Sequence, residues 1–201
     1  MQESPMQESP MDEPSTGATA MHPRITELVT LLDAEREALL AAVERVPADR
    51  RDVRPAEHAW SVAELLEHLH RVEKGIARLL EKRVAEARAA GLGPETETSS
   101  LIGTLDPALV SDRSLRRVAP AMVEPRGEMT AAAALDALLE SRTALRAALL
   151  GANGLALSAL RQVHLVLGDV DLYQWVLFVA YHERRHVPQM REIGEQLATA
   201  G

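Results

Sequence analysis

The chain has 201 residues, of which 46% are hydrophobic and 2% aromatic, and its formal net charge is −8. This length is enough for one domain with a substantial core, and the negative charge argues against nucleic acid as a partner. The absence of cysteine excludes disulfides, a thiol nucleophile and thiolate metal ligands. No apolar run reaches the length of a membrane span, and the N-terminus is polar and acidic rather than a signal peptide. We therefore expect a cytoplasmic protein without a membrane partner.

The first twenty residues differ from the rest of the chain. They repeat the unit MQESP, show no apolar period, and carry acidic residues but no lysine or arginine. Such a segment buries too little apolar surface to offset its chain entropy. We therefore predict that residues 1–20 form a disordered acidic tail and that residues 21–201 form the folded domain. An alternative interpretation is that translation starts at Met11 or Met21.

Two helices are predicted in the first half of the chain. The first runs from about Pro23, which suits a first helical turn, to Val46. The second begins after Ser61, where Ser61 and Glu64 match a capping box, and runs to about Ala90.

A long connection follows, over residues 91–129, with one short helical turn near Asp106 to Val110. Connections of this length are often functional or mobile. The third helix begins at the Thr130 cap and runs to about Leu150. Residues 155–168 fit neither a helix nor a strand clearly.

The last helix runs from about Asp171, where a second capping box with Gln174 opens it, to Thr199. Four amphipathic helices in a chain rich in Leu, Val and Ala, without visible strand patterns, predict an all-α fold. The predicted architecture is a four-helix bundle with a long connection between the second and third helices and no sheet.

His182 and His186 lie four residues apart in the last helix. This spacing puts both imidazoles on one helix face, about 40° apart, close enough to share one metal ion. His186 falls in the middle of the apolar stripe and His182 at its margin. Because buried imidazoles need partners, each ring either bonds a backbone carbonyl or binds a metal.

The second helix offers a third candidate. His68 lies at the edge of its apolar stripe, whereas His70 lies further out and Glu67 points nearly opposite. We therefore expect His68 to be buried and His70 to be solvated. His164 is expected to be a surface or loop residue rather than a ligand.

Two segments together resemble the DinB-like superfamily of damage-inducible bundles. They are Trp60 to His68 (WSVAELLEH) and His182 to Met190 (HERRHVPQM), and the resemblance extends over about Ile25 to Leu197. In that family three histidines of these motifs bind a divalent metal, commonly zinc or nickel. The matching positions here are His68, His182 and His186.

The superfamily is similar to bacillithiol transferases and to mycothiol-dependent maleylpyruvate isomerases, in which the metal activates a low-molecular-weight thiol. The resemblance thus implies a thiol S-transferase acting on an electrophilic small molecule. Since the chain has no cysteine, the thiol must come from outside. A non-enzymatic stress-response module that binds metal, and a metal-dependent hydrolase, remain alternatives, and a homodimer is also open.

Two other kinds of metal site would use some of the same residues. His182 to His186 matches the HExxH motif of zincin proteases, but Gln189 and Glu192 stand where the metzincin extension needs glycine and histidine. A di-iron site would use two Glu-x-x-His motifs, yet Glu67 points away from the apolar stripe. Glu183 is interpreted either as a general base or acceptor beside the metal, or as the buried partner of an arginine.

Overall fold

A computed structural model describes residues 20–114 and 117–199. The helices are α1 (Pro23–Glu44), α2 (Val62–Ala89), α3 (Ala108–Ser111), α4 (Ala131–Gly151) and α5 (Leu172–Thr199). The strands are β1 (Arg161–His164) and β2 (Gly168–Asp171). These residues are mostly helical, which confirms the all-α prediction. Apart from Ala20, the predicted acidic tail lies outside the described residues.

The helix starts follow the local capping chemistry. Ser61 Oγ accepts a hydrogen bond from the Glu64 amide at 3.2 Å, and Glu64 Oε2 accepts one from the Ser61 amide at 2.9 Å. Asp171 and Gln174 exchange the equivalent bonds at the start of α5, at 2.9 and 3.0 Å. Thr130 Oγ1 accepts from the backbone of α4. Both predicted capping boxes are confirmed, and each places a histidine-bearing helix.

The prediction of no sheet is wrong for one short segment. The strands β1 and β2 form an antiparallel hairpin in which Arg161 lies opposite Asp171 and His164 opposite Gly168. Gly168 has φ of +75°, which favours glycine at the turn. The Nε1–H of Trp175 donates to Gln162 O at 3.2 Å and ties the hairpin to α5. In β1 the apolar residue Val163 is exposed and the polar residue His164 is buried, so the apolar pattern of the sequence did not mark an inner face.

The four long helices enclose two apolar clusters. In the first, α2 residues such as Ile76 and Leu80 pack with Leu145 of α4 and Tyr173 of α5. The second lies along other turns of the same helices and includes Leu39 of α1. The closest helix pairings are α2 with α4 and α1 with α5. Over the described ranges, no helix is both long and apolar enough to cross a membrane.

A set of four buried charges separates these two clusters. Arg36, Glu73, Arg142 and Glu183 form this buried charge cluster, and α1, α2, α4 and α5 each supply one member. Arg36 Nε donates to Glu183 Oε1 at 3.0 Å, and its NH2 donates to Glu73 Oε2 at 2.8 Å. Arg142 Nε donates to Glu73 Oε1 at 2.5 Å and its NH2 to Glu183 Oε1 at 3.0 Å.

The buried charge cluster is balanced in sign and largely satisfied in hydrogen bonding. Ser141 Oγ adds a 2.7 Å bond to Glu73 Oε2, and Arg36 NH1 donates to Leu138 O. Although burial alone would lower the pKa of Arg36, Glu183 and Glu73 raise it above its ordinary value. Arg36 is therefore charged, and it donates hydrogen bonds to both glutamates inside the protein.

Replacing Arg142 by Met should lower the free energy of unfolding by about 3–5 kcal/mol, because Glu73 and Glu183 lose a buried partner. Arg146, one turn along α4, is the matched control: its ion pair with Asp33 has side-chain exposures of 36% and 53%. Arg146→Met should cost less than about 1 kcal/mol. Urea unfolding of both variants and the wild type gives the comparison, and equal losses would contradict the interpretation.

Candidate metal centre

Three histidines from two helices meet at one point. His68 comes from α2, and His182 and His186 come from α5. Nε2 of His182 lies 3.3 Å from Nε2 of His68 and 3.2 Å from Nε2 of His186. One nitrogen from each ring lies within 4.8 Å of the other two. The three residues singled out by sequence are thus brought together.

The other nitrogens of two of these rings determine the tautomer. Nδ1 of His68 lies 2.8 Å from Val123 O, and Nδ1 of His186 lies 2.8 Å from Gln189 Oε1. Oxygens of this kind only accept, so each Nδ1 carries the proton and donates it. In the neutral ring the Nε2 lone pair is then free and points toward the shared centre.

The spacing of the nitrogens fits a small divalent cation. Metal–nitrogen bonds of about 2.0–2.1 Å at the tetrahedral angle would place two ligand nitrogens about 3.3 Å apart. The observed separations from His182 Nε2 are 3.3 and 3.2 Å. Three imidazoles also leave one tetrahedral position without a protein ligand, as in catalytic rather than structural zinc sites.

Aromatic side chains hold the rings in place. Trp60, immediately before the α2 cap, packs against His68 with 5.0 Å between the ring centroids. Phe178, one turn before His182, stacks on it at 5.2 Å with an interplanar angle of 17°. Both tryptophans and the single phenylalanine of the chain line the cavity next to the histidines. The few aromatic residues are therefore concentrated at this site.

Burial keeps the three imidazoles neutral. Burial lowers the pKa of His68 below the usual 6.5. Burial, together with electrostatic repulsion from His186 and His68, lowers the pKa of His182 well below 6.5. Burial and His68 lower the pKa of His186 to about 3. Metal binding requires neutral imidazole, so the rings are in the ligating protonation state at neutral pH without losing a proton.

A cavity of about 720 Å³ opens beside the histidines, and all three contribute to its wall. The rest of the wall comes from the segment before α2, from α2 and α5, from the long connection and from the β1–β2 hairpin. Its volume is in the range of small-molecule sites in proteins. The three-histidine centre therefore forms part of the wall of a ligand-sized cavity.

Two histidines outside the centre differ from expectation. His164, expected at the surface, is only 8% exposed and packs against Trp175 and Phe178 in the cavity wall. Its Nδ1 accepts from the amides of Val166 and Leu167, so the neutral ring carries its proton on Nε2. His70, expected to be solvated, is half-buried, and its Nδ1 lies 2.7 Å from Ala137 O. Neither joins the three-histidine group.

Glu67 also differs from its predicted exposure. It is 2% exposed, and its carboxylate accepts from the amides of Arg126 and Gly127, both at 3.1 Å. Gly127 has φ of +69°, a conformation that favours glycine. Together with the His68–Val123 bond, these contacts hold the end of the long connection on α2. Because Glu67 is used in this way, the di-iron interpretation is not supported.

Glu183 takes the second of its two predicted roles. Its Oε1 accepts from Arg36 and Arg142 in the buried charge cluster. Its Oε2 has no hydrogen-bond partner among the described residues, and Glu183 is absent from the three-histidine group. A zincin mechanism needs this glutamate as general base beside the metal, so the HExxH match does not describe the chemistry here.

Comparison with known proteins agrees with this geometry. The family model of the DinB superfamily matches residues 31–190. The chain belongs to the DinB superfamily. It is also similar to the uncharacterized protein YuaE of Bacillus subtilis strain 168, with 28% identity over 163 residues, covering 76% of this chain and 88% of YuaE. No solved structure matches the chain significantly. DinB-superfamily proteins typically bind metal, and the matched region contains all three histidines.

The lowered histidine pKa values predict a pH-dependent stability for the metal-free protein. Below about pH 6.5 the unfolded chain binds protons that the folded chain does not. Stability should then fall on acidification by up to about 1.4 kcal/mol per pH unit for each histidine. Urea unfolding of metal-free protein at several pH values between 7.5 and 5 measures this loss.

The double variant His182→Gln/His186→Gln is the control for that measurement. Removing two of the buried imidazoles should make the loss of stability on acidification shallower than in the wild type. Equal slopes for the two proteins would show that these histidines are not buried in the neutral form.

Proposed function

We propose that residues 21–201 form a DinB-type four-helix bundle domain in which His68, His182 and His186 bind one divalent ion, zinc or nickel, through Nε2. We further propose that the centre activates an external low-molecular-weight thiol for transfer to an electrophilic small molecule. The observation that carries the proposal is the convergence of the Nε2 atoms on a centre that borders the cavity.

The residues around the centre have distinct tasks. Val123 O and Gln189 Oε1 orient the rings of His68 and His186 by accepting hydrogen bonds from their Nδ1–H groups. Trp60 and Phe178 fix the ring planes by packing. A divalent ion held by the three rings would lower the pKa of a thiol in its open position and so supply a thiolate near neutral pH. The cavity would bind the electrophile within reach of that sulfur.

The proposed reaction is a substitution by the thiol sulfur at an electrophilic carbon. The thiol loses its proton to solvent, its sulfur forms a bond to an electrophilic carbon, and a leaving group departs with the electron pair of the broken bond. Among the described residues the three-histidine group offers three protein ligands and no fourth, which favours an enzyme over a structural metal site. A hydrolase is less well supported, because Glu183 is held by Arg36 and Arg142.

The metal assignment predicts the outcome of single substitutions. His68→Ala, His182→Ala and His186→Ala should each lose most of the bound metal, since each removes one of three ligands. His58→Ala, His70→Ala and His164→Ala should keep it, because these rings lie outside the three-histidine group. Elemental analysis of metal content per chain compares all six variants. Full metal content in His68→Ala would overturn the assignment.

The activity has a separate test. Metal-loaded wild-type protein should accelerate loss of free thiol when a low-molecular-weight thiol and a fluorogenic alkylating reagent are supplied, and His182→Ala should not. Free thiol and fluorescent adduct are followed together over a panel of thiols. Full metal content without thiol loss for any member of the panel would favour a non-enzymatic metal-binding module.

A further inference from the structure

Exposed apolar side chains gather at the mouth of the cavity. Eleven large hydrophobic residues are exposed within the described ranges. Six of them line the cavity, namely Leu109, Val118, Met122, Val163, Leu165 and Val166. Val118 is 89% exposed and Leu165 77% exposed. Scattered exposed apolar residues are ordinary, but a contiguous group around a cavity indicates binding of an apolar molecule.

The same mouth is rich in arginine. Arg71, Arg113, Arg117 and Arg185 line the cavity, while Glu192 is the one carboxylate among the described lining residues. This contrasts with the whole chain, whose net charge is −8. A positively charged cavity on an acidic protein concentrates anions locally.

Part of this positive charge is not offset. Arg71 pairs with Glu67, and Arg113 makes two bonds to Glu192, at 2.5 and 2.6 Å. Arg117 NH2 donates to a carbonyl, Leu109 O, at 2.7 Å, which leaves its charge in place.

Arg185 lies in the same positive region. Its NH1 donates to Val110 O at 3.3 Å and also to Asp112 O. Burial, Arg117 and Arg113 lower its pKa, although the Asp112 carboxylate opposes them. Arg185 thus adds a second guanidinium to the part of the cavity wall that contains Arg117.

We propose that the cavity binds an amphiphilic anion, with an aliphatic or ring-shaped body between the exposed apolar residues and an anionic head at Arg117 and Arg185. The inference rests on the proposed function in placing this ligand beside the metal centre as the electrophile. It extends that function by giving the class of substrate. A three-histidine centre carrying a divalent ion would remain positive and would favour the same ligand.

The protein contains its own probe for this binding. Trp60 and Trp175, the two tryptophans of the chain, both line the cavity. Titration with decanesulfonate should change tryptophan fluorescence saturably, and sulfonate is a poor metal ligand, so the head need not bind the ion. Three control compounds change one property each: 1-decanol has a neutral head group, decyltrimethylammonium a positive head group, and methanesulfonate no long chain. Decanesulfonate should bind most tightly, added salt should weaken it, and methanesulfonate should give no change.

Matched variants separate the charge from the apolar surface. Arg117→Gln and Arg185→Gln should each weaken decanesulfonate binding about two- to fivefold, the effect of one exposed charge, and leave 1-decanol unchanged. Arg184→Gln is the control, because the neighbouring Arg184 pairs with Glu35 and does not line the cavity. Leu165→Gln should weaken both ligands.

Three results would overturn the proposal. They are equal affinity for decanesulfonate and decyltrimethylammonium, no effect of Arg117→Gln, and no fluorescence change with any decyl compound. Metal content and thiol loss are measured on the same variants. Absence of decanesulfonate binding by the wild-type protein at full metal content refutes the substrate class alone, whereas a wild-type protein that binds no metal refutes the proposed function.

Discussion

The arrangement of the four long helices depends on the buried charge cluster. Each helix supplies one charged residue, and the two arginines and two glutamates make their hydrogen bonds to one another in the register that the helices adopt. Burying such charges brings little net stability, but a mismatched register would leave a buried ion unpaired. The cluster therefore specifies how the helices face each other more than it strengthens them.

This constraint extends directly to the metal centre. Glu183 lies between His182 and His186 in α5, so its bonds to Arg36 and Arg142 set the rotation of the helix that carries both histidines. At 100° per residue, fixing one side chain fixes the direction of its neighbours. The glutamate of the HExxH motif thus acts on the centre through helix position and not through chemistry at the metal.

Sequence reasoning succeeded where the signal was local. The helix starts at Ser61 and Asp171, and the pairing of His182 with His186 on one face, depend on residues within one or two turns. The burial of Glu67 and the choice between the two predicted roles of Glu183 depend on partners far along the chain, such as Gly127 and Arg36. A glutamate in a helix is most often solvated, so Glu67 gave no sequence signal of its contacts.

The hairpin and His164 illustrate the same limit. The apolar residue of β1, Val163, is exposed, so the strand has no apolar inner face, and the burial of His164 depends on Trp175 and Phe178 of α5. Local chemistry therefore predicted the long helices and, together with the family resemblance, the candidate ligands. Contacts between elements determined the cavity wall, which no periodicity could indicate.

Two groups of charged residues differ in how far nearby charges of opposite sign neutralise them. The buried charge cluster is closed: its carboxylates and guanidinium groups neutralise one another away from water, so it attracts no further ion. The arginines at the cavity mouth are only partly offset and remain open to solvent, where Arg117 is exposed. An exposed charge such as that of Arg117 can gain a partner from a ligand at little desolvation cost, whereas a charge in the buried charge cluster cannot. Specificity for an anion would therefore arise at the mouth, while register and the direction of the histidines arise in the core.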